Sequence, residues 1–228
     1  MRKLGNECYS CDIDEPSGEH PEWHILGDVL PYINGNCTFK TMDGTEHTID
    51  GQWDLLIAHP LCTYLTVSGN RWFNVEKYGE KALERLKQRE NAVEFFLKFI
   101  NAKCDRICVE NPVGYMNTHY RKPDQIIQPW HFGDEYSKST CLWLKGLPPL
   151  KPLITEKPEL EYVEWVDKKT GRKKRQNKWY ADALALPPHE RAMVRSKTFP
   201  GIAKAMAEQW GSLEKPYEEE KQIEFEKI

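Results

Sequence analysis

Two apolar runs that stop abruptly in polar loops constrain this chain most. Residues 53–58, apolar apart from Asp54, lead into His59-Pro-Leu-Cys62-Thr-Tyr-Leu-Thr-Val-Ser68-Gly69. Residues 106–109 lead into Glu110-Asn-Pro-Val-Gly114. Runs this short, with few polar breaks, are expected of strands covered on both faces. Between them, residues 75–102 place Ala82, Leu83, Leu86, Ala92, Val93, Phe96, Leu97 and Ile100 mostly at helical spacing, which predicts one long helix. Strand, loop, helix, strand is the rhythm of an α/β sheet with parallel crossovers. In such sheets ligands bind beyond the carboxyl ends of the strands.

The flanking segments extend the pattern. Residues 7–13 and 24–29 predict a strand and a second short strand with its turn. Residues 37–41 and 45–49 predict a hairpin around Met42-Asp-Gly44, because Asp-Gly suits a tight turn. Two more strands are expected at 125–130 and 140–144, followed by the rigid exit Leu147-Pro-Pro-Leu-Lys-Pro152. Residues 161–166 and 176–180 predict a hairpin tipped by Lys169-Thr-Gly171, and 189–196 and 202–210 two short helices. The charged tail, 214–228, is expected to fray. This divides the chain into a core (1–150), a small basic hairpin region (151–185), closing helices (186–212) and a tail (213–228).

Composition narrows the class. The 228 residues are 39% hydrophobic and 29% charged, as expected of a water-soluble globular protein. No apolar run approaches the ~18 residues a membrane span needs, so no membrane partner is expected. The first residues carry no apolar signal segment, which makes the cytoplasm the expected location. The net charge of −3 excludes a chain that is basic throughout, so nucleic-acid contact requires a local patch. Residues 168–175, Lys-Lys-Thr-Gly-Arg-Lys-Lys-Arg, form one; the alternative is a solvated hairpin tip. Seven cysteines, an odd number, argue against a disulfide framework. Cys8 and Cys11 lie near His20 and His24, but this falls short of a four-ligand zinc pattern, and no metal is expected. Inside a strand the two cysteines act as small apolar residues.

Asp12, Asp14, Asp28, Cys62 and Glu110 all fall at carboxyl ends of predicted strands. Parallel neighbours would turn all five toward one crevice. A thiol and a carboxyl group so placed suit attack on a pyrimidine ring. A thiolate adding at C6 turns C5 into an enamine carbon, and an acid at N3 offsets the charge that builds on the ring. The electrophile would be a sulfonium methyl group. An acid at a strand end suits a ribose hydroxyl pair, for which Asp12 or Asp14 serves, and Asp28 suits an adenine amino group. Each residue also has an ordinary reading: Cys62 as packing, Glu110 as a cap on the following turn, Asp28 as a helix N-cap.

In this order, the motifs resemble the C5-cytosine DNA methyltransferase family over roughly residues 5 to 210. The family's Pro-Cys loop, followed by Ser and Gly, is similar to His59-Pro-Leu-Cys62 through Ser68-Gly69. Its Glu-Asn-Val is similar to Glu110-Asn111-Pro112. Its late strand resembles Phe132-Gly133 through Lys138 to Leu144, and its closing motif Phe199-Pro-Gly201 through Trp210. The resemblance is to a compact branch often carried by phages and prophages. It implies an α/β fold: a Rossmann-like AdoMet-dependent methyltransferase sheet with a small basic hairpin insertion. It implies S-adenosyl-L-methionine as cofactor and DNA as partner. It implies Cys62 as nucleophile and Glu110 as acid, with Asp12, Asp14, Asp28 and Pro60 toward the cofactor. Ser68, Asn111, Lys138, Lys173, Lys174 and Arg175 would face the substrate.

The departures are specific. Leu61 stands where the family has a second Pro, Thr63 where it has Gln, and Lys138 is the sole basic residue where it has two arginines. The family's first strand, central in its sheet, and its Gly-rich turn would precede Arg2 and are missing. The preferred explanation is a missing upstream segment; the other is a remnant that has lost catalysis, and a protein partner is a further candidate to complete the cofactor site. The expected activity is methyl transfer to C5 of cytosine. The alternatives are a non-catalytic DNA- or protein-binding module and an enzyme of free pyrimidine nucleotides.

Overall fold

A computed structural model describes residues 1–16, 18, 20–213 and 216–217. Apart from 216–217, the tail expected to fray lies outside the described residues. The chain is mixed α/β, as its rhythm predicts.

Among the described residues ten strands and six α-helices follow one another. β1 (Ser10–Asp12) and β2 (His24–Leu26) form a parallel pair. β3 (Cys37–Lys40) and β4 (Glu46–Ile49) form the expected hairpin. The main sheet contains β5 (Leu56–Ala58), β6 (Ile107–Pro112), β7 (Gln125–Ile127) and β8 (Thr140–Lys145), in the order β5-β6-β8-β7. β5 runs parallel to β6, and β8 is antiparallel to both its neighbours. Between β5 and β6 come α1 (Val75–Tyr78) and α2 (Glu80–Ile100), and between β6 and β7 comes α3 (Met116–His119). After β8 come the hairpin β9 (Tyr162–Val166) and β10 (Lys173–Asn177), then α4 (Lys178–Ala185), α5 (Pro188–Ser196) and α6 (Pro200–Trp210).

The main sheet is a filled sandwich because its strands alternate. Ile107 and Val109 of β6, with Cys141 and Trp143 of β8, point to one face, where Ala92, Val93, Phe96 and Phe99 of α2 cover them. Cys108 and Leu142 point to the other, against Ile202, Ala205, Met206 and Trp210 of α6. Phe96 meets Trp143 edge-on at 5.1 Å between ring centroids, a favoured aromatic geometry. The long β8–α6 connection thus returns the C-terminal helix to the sheet.

Besides a shorter β1 and a β6 that runs on to Pro112, so that Glu110 and Asn111 lie inside the strand and not in the loop beyond it, four features differ from the sequence expectation. The helix expected over 75–102 breaks at Gly79, whose φ of 53° and ψ of −130° favour a residue without Cβ. Asn74 caps the short first piece through Oδ1, which accepts from Lys77 N at 2.7 Å. The strand expected over 125–130 stops at Ile127 because Pro129, which has no N–H, opens a 3₁₀ turn. The basic hairpin pairs three residues earlier than expected on its second strand: Asn177 lies opposite Tyr162, and Lys178 to Tyr180 already belong to α4.

The fourth difference matters most. β1 and β2 do not join the main sheet; they pair only with each other. β5, expected as a central strand, is therefore an edge strand. Ring contacts bridge the two parallel pairs: Tyr9 lies 4.9 Å from Phe39 and 6.4 Å from Trp53, just before β5.

One close approach fixes the loop after β5 onto the loop after β6. Thr66 and Gly114 form an isolated antiparallel bridge, and Tyr115 N donates to Leu65 O at 2.6 Å. A Cβ on Gly114 would sit 1.9 Å from Leu65 O. Gly114→Ala is therefore expected to cost about 2 kcal/mol and to lower Tm by about 4–8 °C. Thermal melting followed by circular dichroism checks this; an unchanged Tm would mean that the two loops are not locked together.

Candidate active site

β5 and β6 are parallel neighbours in register, Ala58 opposite Val109, so His59 and Glu110 emerge at the same end. His59 Nδ1 lies 3.2 Å from Glu110 Oε2. The next residues on each strand are also joined. Asn111, 1% exposed, donates from Nδ2 to Pro60 O at 2.9 Å. Its Oδ1 is buried and has no hydrogen-bond partner among the described residues. Buried amide oxygens are rarely left so, and this one sits one residue from Glu110. Pro60, assigned to the cofactor by resemblance, is thus also the acceptor that ties its loop down.

Cys62 follows in a tight turn: Leu65 N and Thr66 N both donate to Cys62 O, at 2.9 and 3.1 Å. Burial pushes its thiol up from the usual value, and the Glu110 carboxylate pushes the same way. Lys138 and Arg195 pull it back, though less. The thiol, the carboxylate and two cations therefore share one neighbourhood. Lys138, which ends a loop before β8, donates from Nζ to Arg195 O at 3.0 Å and lies 5.8 Å over the Phe199 ring.

The α5–α6 junction, Ser196 to Phe199, lines with His59, Glu110, Lys138 and Thr140 a partly open void of about 10 Å³. That volume is about what one water molecule requires.

Two arginines of α2 hold the loop that continues from Cys62. Arg89 donates to Tyr64 O and to Asn70 Oδ1, both at 3.0 Å, and its guanidinium lies over the Phe73 and Tyr115 rings. Arg85 lies 5.1 Å over Tyr64 and 5.0 Å over Phe73. Such contacts restrain the loop at both ends. Ser68 sits at the start of the 3₁₀ turn 67–73, where its N donates to Thr66 Oγ1 and its hydroxyl pairs with the same oxygen.

The aspartates form a second group. Asp12 and Asp28 are both exposed and both act on the Cys11 thiol, which burial first, then these carboxylates, push up to about 11. Gly27 N donates to Asp12 O at 2.8 Å, which holds the ends of β1 and β2 together. Asp28 Oδ1 accepts from Leu30 N, and Asp12 Oδ1 from Asp14 N. This group ends the two-stranded sheet, not the main one. The expectation of a single continuous row of parallel strands behind all five residues is corrected, because β1 and β5 are not hydrogen-bonded neighbours.

Lys173, Lys174 and Arg175 are exposed on β10, away from Cys62 in sequence, with Arg175 stacked 4.8 Å over Tyr162. Sequence reasoning missed His59, Arg195 and the α5–α6 junction. His59 was findable, since it directly precedes Pro60 at the end of a strand; Arg195 lies 133 positions beyond Cys62 and carries no local signal. Near the N-terminal CxxC, Cys11 Sγ points to Gly27 O and Ser10 Oγ to His24 Nδ1. Among the described residues no group of three His, Cys, Asp or Glu side chains is placed to hold a metal, and no helix is long and apolar enough to cross a membrane.

No protein-family model matches this chain, and neither a curated protein nor a solved structure does.

The electrostatics around Cys62 give a direct expectation. Its raised value keeps the thiol protonated at neutral pH, so alkylation by iodoacetamide should accelerate about tenfold per pH unit from 7 to 9. Glu110→Gln removes a charge that disfavours the thiolate and should speed alkylation at pH 7.5 about threefold; Lys138→Met should slow it similarly. Peptide mapping by mass spectrometry follows Cys62 among the seven cysteines. Equal rates in all three proteins would place these charges too far away to matter.

Proposed function

We propose that this chain is an AdoMet-dependent transferase that methylates C5 of cytosine in DNA through a covalent Cys62 adduct. One observation carries the reading: Cys62 and Glu110 leave adjacent parallel strands at the same end, joined by the Asn111–Pro60 bond. Its support also includes the α/β order of the main sheet and the cations Lys138 and Arg195 beside the thiol.

Cys62 Sγ loses its proton and adds to C6 of the ring. Glu110 protonates or hydrogen-bonds N3, so charge leaves the ring as the C–S bond forms. Lys138 and Arg195 favour the thiolate against burial. His59, 3.2 Å from Glu110, orients that carboxyl group. S-adenosyl-L-methionine, when bound, supplies the electrophilic methyl group that C5 takes up. The C5 proton then leaves to solvent and the C–S bond breaks, returning Cys62. The exposed carboxylates Asp12 and Asp28, with Asp14 beside them, fit the hydroxyls and amino group of the cofactor's nucleoside half. Pro60 would line its other side.

A second reading has its own support. The void beside Glu110 is small, and the first two strands stand apart from the main sheet. Both suit a non-catalytic module with the same architecture that binds DNA or a protein.

DNA containing 5-fluorocytosine separates them. Fluorine at C5 cannot leave as a proton does, so a chain that transfers methyl should remain covalently attached. We expect an AdoMet-dependent, denaturant-stable adduct with the wild type, none with Cys62→Ala, and one formed at least about 100-fold more slowly with Glu110→Gln. AdoMet affinity by calorimetry should be nearly unchanged in Cys62→Ala. No adduct and no AdoMet binding would favour the second reading.

A further inference from the structure

We propose that Trp165, on the outer face of the β9–β10 hairpin, is a stacking platform for an unpaired nucleobase, so that the chain engages nucleic acid in single-stranded form. This rests on the reading of the chain as a nucleic-acid enzyme and names its substrate class.

The register defines the face. Trp165 lies opposite Lys174, and Val163 opposite Gln176, so these four side chains share one side of the ribbon. Trp165 is 43% exposed and Val163 40%. Trp165 and Val163 thus form a half-exposed apolar pair on one face of the ribbon, where part of the indole is open to a planar ligand. The opposite face is used differently: Arg175 stacks over Tyr162, which also meets Lys157 Nζ. The charge around the ring names the occupant. Residues 161–178 hold seven basic and three acidic side chains, a net charge of +4 in a chain of −3. One of the acids, Asp167, is already paired with Lys174. A ring among cations fits a base flanked by phosphates.

A strand presented single-file fits better than a duplex. The Trp165 face offers two apolar side chains, while its Lys174 is paired with Asp167 and Gln176 is left as a donor for base edges, which suits stacking rather than groove readout. The hairpin is also fixed relative to the candidate active site. Asn177 Nδ2 and Trp179 Nε1 both donate to Ser137 O, at 3.1 and 3.3 Å, and Ser137 adjoins Lys138. Arg195, which neighbours Cys62 electrostatically, lies 4.5 Å over Tyr180 on the way. Basic and aromatic side chains therefore alternate from the hairpin to the thiol.

The test is fluorescence anisotropy with a labelled oligothymidylate of about 20 nucleotides, the matching oligouridylate, and a blunt duplex of the same length, without cofactor. The wild type should bind the single strands at least about tenfold tighter than the duplex. Trp165→Ala should weaken single-strand binding about tenfold, and Trp165→Phe should restore most of it. The Trp165 variants should keep the wild-type salt slope, whereas Lys174→Ala, on the same face, should lower it by about 0.7. A preference for thymidylate over uridylate, or the reverse, reports the base methyl and the sugar together and leaves the platform intact. Wild-type affinity in Trp165→Ala, tighter duplex binding, or no binding to any strand overturns the proposal. Failure of the two readings is distinguishable: Trp165-dependent binding with no fluorocytosine adduct defeats only the catalytic reading, and an adduct with Trp165-independent binding defeats only the platform.

Discussion

One buried hydrogen bond organises the candidate active site. Asn111 reaches from β6 to Pro60 O across 51 positions of sequence, and by doing so fixes the loop of Cys62 against the strand of Glu110. The bond sits where water cannot replace it, so losing either partner leaves a desolvated polar group. Pro60 contributes a carbonyl without an N–H of its own to satisfy, and Asn111 supplies the donor. The Gly114 approach to Leu65 and the Arg89 contacts then carry the same restraint outward along the loop. The Cys62 thiol is thereby held in a loop beyond a strand end backed by a filled core, a support that would suit a positioned group.

Much of this arrangement was legible in the residues. The apolar runs before His59 and Glu110 announced strands, and their abrupt ends located the loops. The period-two alternation in β6 and β8 was masked in sequence, because both faces are covered and the stretches 107–109 and 141–144 are apolar throughout. Helix positions followed from spacing, but the Gly79 break did not: one glycine in a periodic segment costs little and gives no direction to the chain. The β10 register was misplaced because alternation is weak in a strand as polar as Lys-Lys-Arg-Gln-Asn.

The site was legible only where its parts are local. Cys62 follows β5 and Glu110 lies within β6, and their meeting follows from parallel pairing. Arg195 and the Ser196–Phe199 junction reach the same place through the tertiary return of α6, which no local pattern encodes. The two separate sheets were hidden for the same reason. Strand pairing is non-local, and β1 carries the same short apolar-to-acidic signature whether or not it has a second neighbour.

The return of α6 has a consequence for how the molecule could be cut. Tip residues 168–171 of the β9–β10 hairpin are fully solvent-facing, whereas Ile202, Met206 and Trp210 are sealed against the main sheet. A protease that nicks the lysine-rich tip would sever the polypeptide without releasing either piece, because the C-terminal fragment is anchored by core burial and not by the peptide bond it lost. The same geometry makes that tip a natural place for new termini, so the order in which the chain is synthesised is separable from the order in which its core is assembled.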